Sequence, residues 1–206
     1  MSTSTRTLDA DGLVVGAADT IYTYTGRMIR PLDPDPADIC IEDIAHALSM
    51  QPRFTGHLRK FSSVAEHCIR TAMLAPDHLK LEALLHDASE AYLADIARPV
   101  KKAPEFGGVY LKYEAQLERA VQIAFQLPLV DEMDPEIKRI DQYTLEAEVA
   151  SFAHPNFQRA MGVSLVDGWL PGALPAGWQP RVAEGYFLAD FWTYWDAREA
   201  QKGARL

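Results

Sequence analysis

His86 and Asp87 stand side by side in Leu84-Leu85-His86-Asp87-Ala88-Ser89-Glu90, directly after apolar residues. Imidazole nitrogen and carboxylate oxygen are the usual ligands of a hydrolytic divalent metal. Glu90 follows one helical turn later, where a carboxylate can handle a proton. A lone pair of this kind also suits a solvated stripe on an amphipathic helix, and the rest of the chain gives it weight. Ser63 and Glu66 form a capping box, so His67 stands one turn into a helix. Asp141 lies about two turns into another helix, among apolar neighbours. Burying an unpaired charge is expensive. A metal would partner Asp141; so would Lys138 or Arg139, although those side chains point elsewhere on the helix.

These residues need helices to present them. Residues 79–93 hold no Gly or Pro and are rich in Ala, Leu and Glu, which predicts one helix carrying His86, Asp87 and Glu90. On it Glu90 neighbours both members of the pair, which point about 100° apart. The helix opened by Ser63 runs to about Ala75 and stops at Pro76. Two helices joined by so short a turn pack antiparallel, and His67 can then face His86. Further helices are predicted from Ile41, Ile44, Ala45 and Leu48, over 109–125, from Asp134-Pro135-Glu136 to about Phe152, and over 182–200, where Phe187, Phe191, Trp192 and Trp195 can dock on a core. Thr20 to Ile29 reads as a short strand or extended arm, Arg98-Pro99-Val100-Lys101 as a break, and 154–180 as a long irregular loop. Trp169 and Trp178 in that loop serve packing or stack on a base. His46 sits on a polar-leaning helix face, His57 and His78 in connectors, and His154 at a helix end, where a cation suits the dipole. The expected class is all-α: a single-domain helical bundle over 38–206 after a flexible N-terminus and arm over 1–37.

The bulk numbers suit this. Of 206 residues 48% are hydrophobic and 24% charged, an ordinary globular balance. No apolar run approaches the roughly 18 to 20 residues of a membrane span, and the Ser/Thr-rich start has no apolar stretch of a secretory signal. Cys40 and Cys68 lack Cys-x-x-Cys spacing and read as thiols in a reducing cytoplasm. The net charge of −9, its excess mostly in the second half, excludes a nucleic-acid backbone footprint. It leaves room for a small phosphorylated substrate held locally by a metal and an arginine.

His67, then His86-Asp87, then Asp141 resemble the H…HD…D signature of HD-domain metal-dependent phosphohydrolases. Val64-Ala65-Glu66-His67, His86-Asp87-Ala88-Ser89-Glu90, and Asp95 followed by Pro99-Val100-Lys101 resemble the small bacterial and phage branch typified by 5′-deoxynucleotidases. The resemblance covers roughly 40–150, with a core signature over 53–150. It implies an HD-type helical fold holding one divalent metal (Zn, Fe, Mn, Co, Ni or Mg) through His67, His86, Asp87 and Asp141. It implies that Glu90 positions or protonates in the phosphate step, that Asp95 contacts the sugar as a further site acid, and that Arg53 holds the phosphate, with Arg59 or Lys60 as alternatives. Lys101 has no assigned role. The implied reaction releases phosphate from deoxynucleoside 5′-monophosphates. A deoxynucleoside triphosphate triphosphohydrolase is the variant, and a catalytically silent metal- or nucleotide-binding regulator is the reading from another class. Hydrolysis of guanosine tetraphosphate fits less well, because Ser89 and Ala91 flank Glu90 where that branch carries two adjacent acids. Members are often dimeric, and the aromatic C-terminal helix is a candidate homodimer face.

Overall fold

The computed structural model describes residues 7–8, 14–15, 19–163 and 176–203. Among these the chain is mostly helical, and the all-α class holds. Two small antiparallel pairs come first, β1 (Thr7–Leu8) with β2 (Val14–Val15) and β3 (Ile21–Tyr22) with β4 (Met28–Ile29). The second hairpin is fastened to the first helix: Thr25 donates its N–H and hydroxyl to Asp43 at 2.7 and 2.9 Å, and Tyr24 stacks on His46. Five longer helices follow, α1 (Ile41–Met50), α2 (Val64–Leu74), α6 (Pro104–Ala124), α7 (Pro135–Phe152) and α9 (Pro180–Gly203). The short helices are α3 (Lys80–Leu84), α4 (Glu90–Leu93), α5 (Arg98–Lys101) and α8 (Pro155–Met161).

Helix α2 is the centre of the bundle. Every residue from Val64 to Ala72 is buried, the charged Glu66, His67 and Arg70 included. Helices α1, α3, α7 and α9 all pack against it, and α9 also lies across α1 and α3 with Ala183, Phe187 and Phe191 inward. The start of α2 is set as expected, with the Ser63 hydroxyl accepting from the Glu66 N–H at 3.1 Å. The other half of the capping box does not form. The Glu66 carboxylate instead accepts the N–H groups of Ala176, Gly177 and Trp178, pinning the chain just ahead of α9. Trp178 then covers the Arg70 guanidinium at 4.3 Å, a packing role.

The structure corrects four sequence readings. The single helix over 79–93 is two pieces, α3 and α4, parted by a turn over 85–89. Arg98–Lys101 is a helical turn, because Pro99 sits in its first turn, where no backbone donor is needed. The 154–180 stretch contains α8. His154 stands just past α7, at a helix end as expected, but its Nδ1 accepts from the Asn156 N–H and caps α8 instead of offering a cation to α7. Trp169 lies outside the described residues.

Candidate metal centre

The break between α3 and α4 falls on the histidine–aspartate pair. The last α-helical bond is Leu85 N–H to Leu81 C=O. The chain then tightens, with Ala88 N–H to Leu85 C=O and Glu90 N–H to Asp87 C=O, both one residue shorter. The pair is therefore not splayed as on a regular helix. His86 Nε2 and Asp87 Oδ2 lie 3.3 Å apart on one side of the turn. Helix α2, packed against α3, brings the His67 ring to 5.3 Å from that of His86. Helix α7 brings Asp141, whose Oδ1 is 2.9 Å from His67 Nε2 and 3.9 Å from His86 Nε2. His67 Nε2 is 3.8 Å from Asp87 Oδ2.

His67, His86 and Asp87 form a group that could hold a metal ion, their ligand atoms all within 4.8 Å of one another. Asp141 adjoins it from α7. Donor atoms about 2.0–2.2 Å from one ion stand roughly 3 Å from each other, close to the separations seen. Each histidine has its other nitrogen engaged. His67 Nδ1 donates to Glu148 Oε1 at 3.0 Å, and His86 Nδ1 donates to the Ala83 carbonyl at 2.8 Å. That fixes both rings with Nε2 toward the cluster, the usual support of a metal-bound histidine. The His86 side chain is only 2% exposed, yet its Nε2 has no hydrogen-bond partner among the described residues. A buried nitrogen with no proton partner, facing two carboxylates, fits a metal ligand.

Arg53 reaches the cluster from the turn Arg53–Gly56 after α1. Its N–H bonds to the Ser62 carbonyl beside the start of α2. Its guanidinium is buried, 3.3 Å from Glu148, 3.7 Å from Asp87 and 3.8 Å from Asp95. Arg59 and Lys60 lie elsewhere: Arg59 donates its N–H to Phe152, and Lys60 covers the Phe152 ring at the far end of α7. Asp95 follows Ala94, which holds φ +67°, and the Asp95 N–H is caught by Gln51 Oε1 at 3.0 Å. Gln51 Nε2 donates to the Glu90 carbonyl. Glu90 accepts from Lys101 Nζ at 3.1 Å, and Lys101 also donates to Glu114 at 2.8 Å.

Burial alone would neutralise these groups, and their neighbours decide otherwise. Asp87 is desolvated, but His86, His67 and Arg53 hold its pKa well below the usual carboxylate range. Burial and Arg53 push His67 down, and Glu148 and Asp141 outweigh them, so its pKa is raised. Burial also opposes a charged His86, yet Asp87 lifts it well above an ordinary histidine. Glu90 goes the other way: burial, Asp87 and Asp95 push it up to about 8, against Lys101 and Arg53. Glu118, also desolvated and beside Glu114, is pushed up to about 7.

Every site residue expected from the sequence, His67, His86, Asp87, Asp141, Arg53, Glu90 and Asp95, is drawn into this one cluster. Two members escaped sequence reading. Glu148 stands seven residues after Asp141, two turns along the same buried face as Ile137, Ile140, Thr144 and Ala147, and that spacing is a signal that could have found it. Gln51 carries none, since its role rests on contacts with residues about forty positions away.

No known family model matches the chain. The uncharacterized protein YfdR of Escherichia coli (strain K12) is 36% identical over 129 residues, 62% of this chain and 69% of its own length. The uncharacterized protein RCAP_rcc00048 of Rhodobacter capsulatus is 38% identical over 152 residues, 67% of this chain and 76% of its own.

Proposed function

The chain belongs to the family of these two bacterial proteins, and we propose that it is a metal-dependent phosphohydrolase of nucleotides, releasing phosphate from deoxynucleoside 5′-monophosphates. The observation that carries the reading is the convergence of two Nε2-oriented histidines and two aspartates beside one buried arginine. His67, His86, Asp87 and Asp141 are the proposed ligands, which extends the three-residue group by one carboxylate. The likeness of this set to the HD-domain signature supports an HD-type domain and one ion, with Zn, Fe, Mn, Co, Ni and Mg as candidates. When bound, such an ion supplies Lewis acidity toward a phosphoryl oxygen and the attacking water.

The chain's own residues do the rest. Arg53 offers a planar fork matched to two phosphate oxygens. Its three carboxylate neighbours keep it charged and rigid. Hydrolysis forms a bond from water oxygen to phosphorus and breaks the bond from phosphorus to the sugar oxygen, which leaves with a proton. Glu90 still carries a proton near neutrality and is the group to deliver it. Lys101 holds the Glu90 carboxyl in place, and Asp95 is positioned to accept from a sugar hydroxyl. A triphosphate is the poorer substrate, because among the described residues Arg53 is the one cation in the cluster with a fork to offer and Lys101 is taken up by two glutamates.

The purified protein is expected to retain a divalent metal, and the double variant His86→Ala/Asp87→Ala to lose it, by elemental analysis. A panel of mono-, di- and triphosphates with added Mn²⁺, Co²⁺ or Mg²⁺ is expected to yield phosphate release from a monophosphate. Metal content equal in both proteins would sink the site. Metal binding with no turnover across the panel would favour the regulator.

A further inference from the structure

Gln51 stands where α1 ends, two residues before Arg53. Both of its backbone groups are held. The N–H bonds to the Ala47 carbonyl at 3.2 Å, and the carbonyl accepts from the Val64 N–H at 3.1 Å. Pro52 then pairs with Ser63, and the Arg53 N–H bonds to the Ser62 carbonyl at 2.8 Å. The strip 51–53 is thus laced to the start of α2, the helix that carries His67. Gln51 and Arg53 share one anchored piece of backbone.

From there the Gln51 amide crosses to α4 and spans it. Nε2 donates to the Glu90 carbonyl at 2.9 Å, and Oε1 accepts from the Asp95 N–H at 3.0 Å. A side-chain amide carries its donor and acceptor on one rigid plane, so it fixes the two groups relative to each other. The peptide unit joining Ala94 to Asp95 is pinned at both polar groups. Tyr110 donates its hydroxyl to the carbonyl at 3.1 Å, and Gln51 takes the N–H. Ala94 holds φ +67°, a conformation that persists only where surroundings impose it. Gln51 is half of that imposition. The Asp95 carboxylate so held stands 3.8 Å from Arg53 and is 17% exposed, still open to a ligand. A nucleotide with its phosphate on Arg53 brings its sugar next. In a deoxynucleoside 5′-monophosphate the 3′-hydroxyl is the one hydroxyl the sugar has left to donate. We propose that Gln51 is a positioning residue for sugar recognition, aiming Asp95 at the 3′-hydroxyl of a substrate whose phosphate rests on Arg53.

The inference rests on the phosphohydrolase reading, and the experiment separates the two. Thymidine monophosphate and dideoxythymidine monophosphate differ by that one hydroxyl. With Mn²⁺ added, the parent's kcat/KM is expected to favour thymidine monophosphate by about ten-fold or more. In Gln51→Met, the KM for thymidine monophosphate is expected to rise about ten-fold toward that of the dideoxy compound, whose own KM moves less than about three-fold. Gln51→Asn, an amide one carbon too short for the span, is expected to do the same and takes its place if the apolar variant does not fold. A substitution that raises both KM values alike, or lowers kcat with the preference kept, would make Gln51 a structural residue and overturn the inference. A parent indifferent to the hydroxyl would also overturn it and leave the hydrolase standing. Where no nucleotide is turned over, calorimetric titration of the same pair decides. A preference for thymidine monophosphate that the substitution abolishes supports the aim of Asp95. Equal binding, no binding, or a preference that survives the substitution overturns it.

Discussion

His67 shows how one side chain depends on another that never meets the substrate. Its Nε2 can face the cluster because Nδ1 is tied to Glu148, and Glu148 is 1% exposed and also holds Arg53. One carboxylate thus orients a metal ligand and a phosphate clamp together. Glu148→Gln keeps the shape but leaves the tautomer of His67 unfixed and removes the charge facing Arg53. Metal affinity is expected to fall about 10- to 100-fold, read by competition with a coloured chelator, with the fold kept by circular dichroism. Affinity within two-fold of the parent would show that Glu148 serves packing alone. At this scale the sequence was most legible for residues whose type announces chemistry, such as His67, His86-Asp87 and Asp141. Glu148 and Gln51 are common residues, and only the fold distinguishes them from surface ones.

Elements were legible where a helix end carries its own chemistry. Ser63 and Asp134 cap α2 and α7, each accepting from an N–H two or three residues on. The break at His86-Asp87 was not legible, because residues 79–93 have uniformly good helix propensity and tertiary packing decides the turn. Backbone tension also stands beside two of the site residues, Arg53 and Asp95, and at Gln126 at the end of α6. Phe54 and Thr55 after Arg53, and Ala94 before Asp95, all take positive φ without being glycine. Such conformations cost on the order of 1–3 kcal/mol each and persist only where surroundings impose them. Ala94 is held by Tyr110, whose hydroxyl donates to its carbonyl at 3.1 Å. Ala94→Gly is expected to raise stability by about 1 kcal/mol in urea unfolding and to lower kcat/KM, since Asp95 then loses its fixed direction. A stability gain with unchanged kinetics would mean that the strain has no part in aiming Asp95. The clasp at Glu66 gives the other element-scale expectation. Glu66→Ala strips a charged acceptor from three N–H groups and is expected to cost about 3 kcal/mol or more. Glu66→Gln, which keeps one acceptor oxygen, is expected to cost clearly less. Equal losses would place the effect in the volume of the side chain rather than in the clasp.

Over the whole molecule, α9 lies on α1, α2 and α3, so the bundle closes around α2 and carries its buried charges inside. Their titration should set the stability of the metal-free protein. Glu90 and Glu118 have folded pKa values raised to about 8 and about 7, against 4.5 for an ordinary glutamate. Each binds its proton more tightly when folded. Their contribution is complete below about 4.5 and is lost as pH rises through 7 to 8. His67 and His86 are also raised, so theirs is complete below about 6.5 and lost as pH climbs through the higher folded values. Asp87, Asp141 and Glu148 are lowered, so theirs is present above about 4 and lost only in acid. The three effects leave a metal-free protein most stable near pH 5 and weaker toward pH 8, and the net charge of −9 adds self-repulsion in the same direction. A divalent ion reverses this, because imidazole ligates only when neutral and metal affinity therefore rises with pH. In chelator the urea midpoint is expected to be lower at pH 8 than at pH 5.5, and saturating Mn²⁺ to close most of that gap. His86→Ala/Asp87→Ala should show no response to the ion at either pH. A midpoint that rises with pH in chelator would mean that the buried histidines and glutamates do not hold their protons in the folded chain.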